Sequence, residues 1–490
     1  MAKQTPEAIL AAARKLRDER FSKRDRRLDE KRRLRFREPD EKNSGIPAAY
    51  DKTTMRYMTP LPSEEGRQIA AIVEAKPVPH IAPPLPEDQP LTTKMEKFLT
   101  AAHAELEYVY GRNAWKAEQS QIHYGVGWLK CYLKKAYYDG APKPPGEEGE
   151  DYVTKLAAYD TANERYKRDA GVRGLFCYEH VPTNTVYHLG DHMDPLAVYE
   201  IKEVDEDELA LRFGVRKDRD GRYTKMPADA DTKSLPAGQP EYGTRDSSSR
   251  RVLVIEYWDR ERCQIVIQNP VRWMRFGSRD EAFLLDEWEH GHGRTPYFAA
   301  AAFETDDLDE DKRYDSPLDS VYAEAPMHNS LRRMGLNVAY LTGYPSWQIQ
   351  TDKEGELILD AEGHKKTQIE FSPGFMFQAA PGQRVLPLPM EGGAELQREI
   401  LASESRMRQY AIADIAKGVS PGADTANSAI SQLRRLVRSA LDPLVQNQAL
   451  RDRQLYQYML RMVKEQVGET VYVFDQEAGE RIDLSPEEIV

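Results

Sequence analysis

Apolar positions follow two rhythms along this chain, and the order in which the rhythms alternate carries the most information. From Ser316 onward, Leu318, Val321, Ala325, Leu331, Met334, Val338 and Leu341 keep helical spacing behind an N-cap serine and Pro317. Pro326 should bend this helix, and Gly343 with Pro345 should stop it. Five short strand-like runs follow at 347–350, 356–359, 367–371, 375–378 and 384–388, with turns at Gly355, Gly363, Gly374 and Gly382. A second helix is predicted over about 394–417, with Leu396, Ile400, Met407, Ala411 and Ile415 on one face. Beyond a glycine loop, Ile430, Leu433, Val437, Leu441, Leu444, Leu455, Met459, Met462 and Val463 predict one long helix over about 425–467. Pro443 should kink it, because proline deletes a backbone hydrogen bond and clashes with the preceding turn, at about 3 kcal/mol. Packing along both arms of such a helix could come from neighbouring subunits or, as in an ordinary kinked core helix, from within one subunit.

The first half of the chain predicts an α+β region. Residues 7–37 form a helix candidate with few apolar positions, namely Ile9, Leu10, Leu16, Phe21, Leu28 and Leu34, as in a solvated or partly disordered tail. Residues 46–90 are irregular and proline-dense around Pro83, Pro84 and Pro86. An amphipathic helix over 92–122 carries Met95, Phe98, Leu99, Leu106 and Val109, and a strand follows at 127–138. Residues 139–170 resemble a surface insertion. Further strands are expected at 176–181, 196–203, 251–258, 263–268 and 271–276, with a hairpin turn at Asp220-Gly221 and a loop at 226–250.

Charge is unevenly distributed. Between Ala11 and Arg37 thirteen Lys or Arg face five Asp or Glu; since the whole chain stands at −12, the remainder carries about −20. A body that grips DNA should show basic stripes. An acidic one suits either plain solubility or a conduit through which DNA slides without sticking. At 490 residues the chain should hold two to four domains; 40% of residues are hydrophobic and 31% charged. No apolar run approaches the roughly 18 residues of a membrane helix, and the polar N-terminus does not resemble a secretory signal. Cys131, Cys177 and Cys263 lie far apart, as buried reduced thiols of a cytosolic product would.

Motifs for chemistry are weak. Gly418-Val419-Ser420-Pro421-Gly422 matches the serine-hydrolase elbow, but that elbow needs a preceding strand and an N–H after the serine, and Pro421 has none. His188, Asp191, His192 and Asp194 place metal-ligand types close together, yet nothing completes a coordination sphere, and a polar loop is the simpler expectation; His290 and His292 stand likewise. The run Asp306, Asp307, Asp309, Glu310 and Asp311 fails the EF-hand pattern at Lys312, and Asp218-Asp220 fails it at Pro227. The absence of a Walker A or dinucleotide fingerprint excludes a motor built on the usual phosphate loop. No catalytic residue, cofactor site or metal site is expected, and the chain does not read as an enzyme.

The succession of helix, strand cluster, helix, glycine loop and long kinked helix resembles the portal protein of tailed bacteriophages. The phrases Ser316-Pro317-Leu318-Asp319, His328-Asn329-Ser330-Leu331, Asn337-Val338-Ala339-Tyr340-Leu341 and Gly422-Ala423-Asp424-Thr425-Ala426 are similar to what such portals carry. The resemblance implies a basic N-terminal arm over 1–45, an α+β wing over 46–315 and a first stem helix over 316–343. It further implies a clip over 344–392, a second stem over 393–417 and a tunnel loop over 418–427. Residues 428–490 would be the long kinked helix and its return to the wing, with the helical crown usual in the family absent or clipped. It implies a homo-oligomeric ring, usually a dodecamer, in the virion, assembled in the host cytoplasm and without a membrane. Double-stranded DNA would pass the tunnel loop at Lys417, Gly418, Val419, Ser420, Pro421, Gly422 and Asp424, with Asp424 open to a purely capping role for the long helix. Trp347, Phe371, Phe375 and Phe377 would serve clip packing and docking of the terminase large subunit and later a head–tail adaptor, or form only a local core. The major capsid protein would surround the wing, and the arm would touch capsid, scaffold or packaged DNA. A DNA-packaging or DNA-processing enzyme without a recognisable motif, or a minor capsid or scaffold protein, are the alternatives.

Overall fold

The computed structural model describes residues 4–37, 58–73, 79–134, 155–156, 159, 175–205, 209, 215–217, 223–225, 251–269, 281–307, 309–343, 347–351, 383–387, 393–411, 427–467, 470–475 and 478–489. The chain divides into two compact units, one of Met1–Asp29, Ile69–Pro317 and Arg438–Val490, the other of Glu30–Gln68 and Leu318–Val437. The described helices are α1 Pro6–Lys15, α2 Ser22–Phe36, α3 Leu61–Val73, α4 Gln89–Tyr110, α5 Asn113–Tyr124, α6 Asp319–Gly343, α7 Gly393–Ala411 and α8 Asn427–Met462. The strands begin with β1 Val126–Leu133, β2 Phe176–Val181, β3 Val186–Leu189, β4 Ala197–Asp205, β5 Val215–Lys217, β6 Tyr223–Lys225, β7 Arg251–Trp258 and β8 Arg262–Asn269. They continue with β9 Glu281–Glu289, β10 Tyr297–Ala301, β11 Phe303–Glu304, β12 Tyr314–Asp315, β13 Trp347–Thr351, β14 Gln383–Pro387, β15 Val471–Asp475 and β16 Glu480–Leu484. Helices and antiparallel sheets make this an α+β fold.

The first unit is layered around two sheets, one of three strands in the order β10-β1-β2 and one of five in the order β3-β4-β7-β8-β9. The two-residue alternation of strands sorts their side chains between layers. Val126 and Trp128 of β1 join Val198, Val254, Trp258 and Ile265 in the core between the sheets. Leu129, Cys131 and Leu133 project to the opposite face, where Phe98 and Leu99 of α4, Ala117 of α5 and Leu455, Met459 and Met462 of α8 meet them. The β15–β16 hairpin adds Val471, Val473, Ile482 and Leu484 to the same core. On the outer face of the five-stranded sheet, Tyr199, Ile201, Ile255 and Tyr257 receive Ile9, Leu10 and Ala13 of α1 together with Phe21.

That contact corrects the expectation of a solvated arm. The segment is two helices joined by a π-helical turn at Leu16–Arg20. Ile9, Leu10, Ala13 and Phe21 enter one core, and burying Ile9, Leu10 and Phe21 is worth about 1.5–3 kcal/mol each. Inward-facing cations find carboxylates or carbonyls: Arg24 donates to the Val186 carbonyl at 2.8 Å and Arg20 to Glu310 at 2.6 Å.

Other boundaries move for local reasons. The helix expected over 92–122 is two, because Gly111 (φ 80°) and Arg112 (φ 57°) both adopt the left-handed conformation. Helix α3 lies in a stretch expected to be irregular, and β9, β10, β15 and β16 were not foreseen. Strands β2 and β7 match the expected 176–181 and 251–258. Strands β5 and β6 pair from Lys217↔Tyr223 outward around the turn foreseen at Asp220-Gly221, residues that lie outside the described ones, as do 271–276 and 226–250 and all but three residues of 139–170. Helices α6 and α8 run on through Pro326 and Pro443. Cys131, Cys177 and Cys263 are free thiols.

Candidate functional site

In the second unit α6 and α7 lie antiparallel, as the rising numbers of one against the falling numbers of the other show. Arg406 donates to Glu324 at 2.8 Å, Arg332 to Glu404 at 2.9 Å, and Ser403 Oγ to Glu324 at 2.8 Å. Gly335 lets the helices approach: a Cβ there would stand 3.0 Å from Ile400 Cδ1. A Cβ at Gly393 would make only ordinary contact with Val338 Cγ1, at 3.6 Å. Partial burial would raise the Glu324 carboxyl, but Arg406 and Ser403 outweigh it and hold it below the usual range. Glu404 is held down in the same way by Arg408 and Arg332. Between α6 and α7 in the chain, β13 and β14 pair antiparallel from Trp347↔Pro387 to Thr351↔Gln383. The helix pair and the ribbon fall within residues 319–411, of which 344–346, 352–382 and 388–392 lie outside the described ones.

The apolar stripe of α6 divides. Leu318, Val321 and Ala325 are buried, as is Ile400 on α7. Met327, Met334 and Leu336 of α6 and Leu401 of α7 are instead about half exposed, at 49%, 54%, 44% and 58%. Met334 belongs to the apolar residues that keep helical spacing in the sequence, yet it is exposed. Of the other expected site residues, Trp347 begins β13 and Pro443 sits within α8. Phe371, Phe375 and Phe377 lie outside the described residues, as do Lys417, Gly418, Val419, Ser420, Pro421, Gly422 and Asp424. The Glu324–Arg406 and Arg332–Glu404 pairs went unforeseen; opposite charges at complementary heights on two predicted helices were the available signal.

The first unit hides charge. Lys130 of β1 enters the space between the sheets and meets Glu200 at 3.1 Å and Glu256 in direct contact. Glu200 and Glu256 are directly opposed in the β4–β7 register, so without cations they would repel each other. Lys202 reaches Glu200 at 2.5 Å, and the Tyr297 hydroxyl donates to Glu200 at 2.7 Å. Rings of Tyr132, Trp258 and Tyr297 surround the Lys130 ammonium at 5.4–5.6 Å. Burial disfavours that ammonium, yet Glu200 and Glu256 overcome burial and hold its pKa well above the ordinary value.

The histidines expected in polar loops are buried. His192 lies 2.8 Å from Asp191 and 2.9 Å from Glu304, and His188 lies 3.7 Å from Glu310. Among the described residues no three His, Cys, Asp or Glu side chains are grouped to hold a metal ion. The His290 and His292 rings lie 4.1 Å apart and are tilted by 41°, and the Tyr458 hydroxyl of α8 lies 2.9 Å from His292 Nδ1. Glu310, expected in a solvated acidic run, is buried beside Arg20.

The corner between α4 and α5 is rigid. Glu107 accepts from the Gly111 and Arg112 amides at 3.1 and 3.0 Å and, through its side chain, from the Ala114 amide at 2.8 Å. The buried Asn113 amide donates to the Tyr178 carbonyl at 2.8 Å. A non-glycine residue at the Arg112 conformation costs about 1–2 kcal/mol, which these bonds offset. No family model matches the chain, and no curated protein matches it significantly.

Proposed function

We propose that this chain is the subunit of a portal ring, a closed homo-oligomer at one capsid vertex through which double-stranded DNA enters and leaves. The observation that carries the reading is the helix pair α6 and α7, a β-ribbon lying between them in the chain, with Met327, Met334, Leu336 and Leu401 left half exposed on its surface. Half-exposed apolar side chains on two paired helices are what neighbouring copies would cover. The excess of acid over base, 81 residues against 69, is compatible with a channel that does not grip its cargo. Among the described residues no helix is long and apolar enough to cross a membrane.

In this reading α6 and α7 are the stems and β13–β14 belongs to the clip, where the terminase large subunit and then a head–tail adaptor would dock. The loop of Lys417, Gly418, Val419, Ser420, Pro421, Gly422 and Asp424 would border the DNA channel. Catalysis would be left to a separate motor chain. Native mass spectrometry with negative-stain imaging tests this directly. Rings of about twelve copies with a central hole are expected, and a 56.1 kDa monomer at micromolar concentration would remove the reading. Substituting Val419 and Ser420 with lysine should leave rings intact while slowing DNA passage, since phosphate-binding cations add a salt-dependent grip.

A further inference from the structure

Docking of α1 turns the basic start of the chain into a fixed feature of the folded surface. Ile9, Leu10, Ala13 and Phe21 are buried against the outer face of β4 and β7, which anchors the start of α2. Over residues 22–37 nine Lys or Arg stand against three Asp or Glu, and the fold sorts the cations. Arg24 donates to the Val186 carbonyl and pairs with Asp25 at 2.8 Å, Arg27 donates to the Asp311 carbonyl, and Lys31 contacts Asp319. Lys23, Arg26, Arg32 and Arg33 are exposed instead, as is Arg37 just past the helix, and Glu30 is the exposed acid among them. Lys23 and Arg26 have no carboxylate within ion-pair reach among the described residues. Helical spacing puts Lys23, Arg26 and Arg33 on one face of α2. Ten residues separate the first from the last, so the row is about 15 Å long at ~1.5 Å per residue.

We infer that this outward face of α2, with Arg32 and Arg37 close by in the chain, binds the phosphodiester backbone of nucleic acid without reading its sequence. A row of like charges is what a polyanion matches: one strand of a duplex carries a charge about every 3.4 Å, so the row meets about four phosphates. Lysine and arginine on phosphates fix position and carry no base information. The chain nets −12, but in physiological salt screening confines charge effects to about 8 Å, so the row acts by its own sign. An acidic face of a second copy fits less well. The acidic run after β11 is answered from within the chain, with Lys312 at 3.5 Å from Asp307 and 3.7 Å from Asp309, and Arg20 at 2.6 Å from Glu310. The row is also pre-ordered by the helix that carries it, so little backbone order is lost on binding. This contact stands apart from the channel loop of residues 417–424 and goes beyond the ring reading.

The test follows a fluorescein-labelled DNA duplex of about 20 base pairs by fluorescence anisotropy as the full chain is added, from about 50 to 200 mM NaCl. Wild type should bind with a log–log salt slope of about −3 to −4, as about four phosphate contacts require, and a duplex of unrelated sequence should bind equally. Lys23→Gln combined with Arg26→Gln should weaken binding about tenfold or more and flatten the slope by about two, with an unchanged thermal melt. Arg453→Gln, at an exposed arginine of α8, should change neither affinity nor slope. Wild type that fails to bind at the lowest salt, or a double variant that binds like wild type, would overturn the inference and leave the ring reading standing. A double variant that keeps its DNA affinity but assembles more weakly would overturn it in favour of a subunit contact. Equal losses in Arg453→Gln would overturn it in favour of diffuse charge attraction. A monomer that binds DNA through Lys23 and Arg26 would support it while removing the ring reading.

Discussion

Lys130 Nζ lies 3.1 Å from Glu200, and the two side chains are only 1% and 0% exposed. The pair carries two further charges, because Glu256 opposes Glu200 across the β4–β7 register and Lys202 answers both carboxylates. Two cations balance two anions inside the layer between the sheets. Removing one partner of such a set is worse than removing the set, because the survivors stay buried without compensation. Lys130→Met should therefore lower stability by about 3–5 kcal/mol in denaturant titration. Adding Glu200→Gln and Glu256→Gln should recover part of that loss. A single mutant with the wild-type unfolding midpoint would show that the network is neutral.

Acid should weaken the first unit early. Burial holds His292 down to about 2, with His290 and Arg461 adding to the effect, and burial holds His290 down to about 4. Burial, Arg24 and His192 hold His188 down to about 3. Each folded-state value lies below the unfolded value of 6.5, so the unfolded chain takes up protons first as the pH drops. The stability these neutral histidines contribute is full above about pH 6.5 and declines below it, by about 1.4 kcal/mol per pH unit per histidine. Unfolding midpoints measured from pH 7.5 to 4.5 should fall steeply. His292→Gln, which cannot titrate, should flatten that slope by about one proton; an unchanged slope would mean His292 is charged in the fold.

A steric prediction concerns Gly127 of β1. A Cβ at this position would stand 1.9 Å from the Ala117 carbonyl oxygen, which is backbone of α5 and cannot swing aside. Gly127→Ala should therefore push α5 off the sheet and cost about 3 kcal/mol. Circular dichroism melting would register the drop, and an unchanged melt would place α5 further from β1.

Legibility in the sequence followed the range of the physical signal. Helices α6, α7 and α8 were visible because helical spacing is local, and β2 and β7 because β-branched and aromatic runs are. Strand β10 was missed: Tyr297-Phe298-Ala299-Ala300-Ala301 is buried on both faces and shows no alternation. The docking of α1 was missed because its apolar face is narrow and its partner, the aromatic outer face of β4 and β7, lies about 190–250 residues away in the chain. Lys130 falls inside the strand expected over 127–138, and nothing local announces that Glu200 and Glu256 wait across the layer. Neither did the 92–122 pattern reveal the break at Arg112, where the left-handed conformation falls on a residue type that seldom adopts it.

The last prediction addresses the helix pair. Met327, Met334 and Leu401 are about half exposed on α6 and α7, whereas Ile400 and Met407 of α7 are buried. Exposed positions contribute little to the stability of a subunit, so replacing Met327, Met334 and Leu401 together with serine should shift unfolding by less than about 1 kcal/mol. If neighbouring copies cover these side chains, the same substitution removes apolar area from every interface of a ring, worth about 25 cal/mol per Å² buried. Sedimentation velocity should then show rings giving way to small oligomers or monomers, while circular dichroism keeps the wild-type melt. Replacing Ile400 with serine is the counterpart: it should lower the melt itself, because that side chain faces Gly335 within the subunit. Triple-serine rings that sediment like wild type would mean that the exposed apolar face of α6 and α7 serves some other contact than assembly.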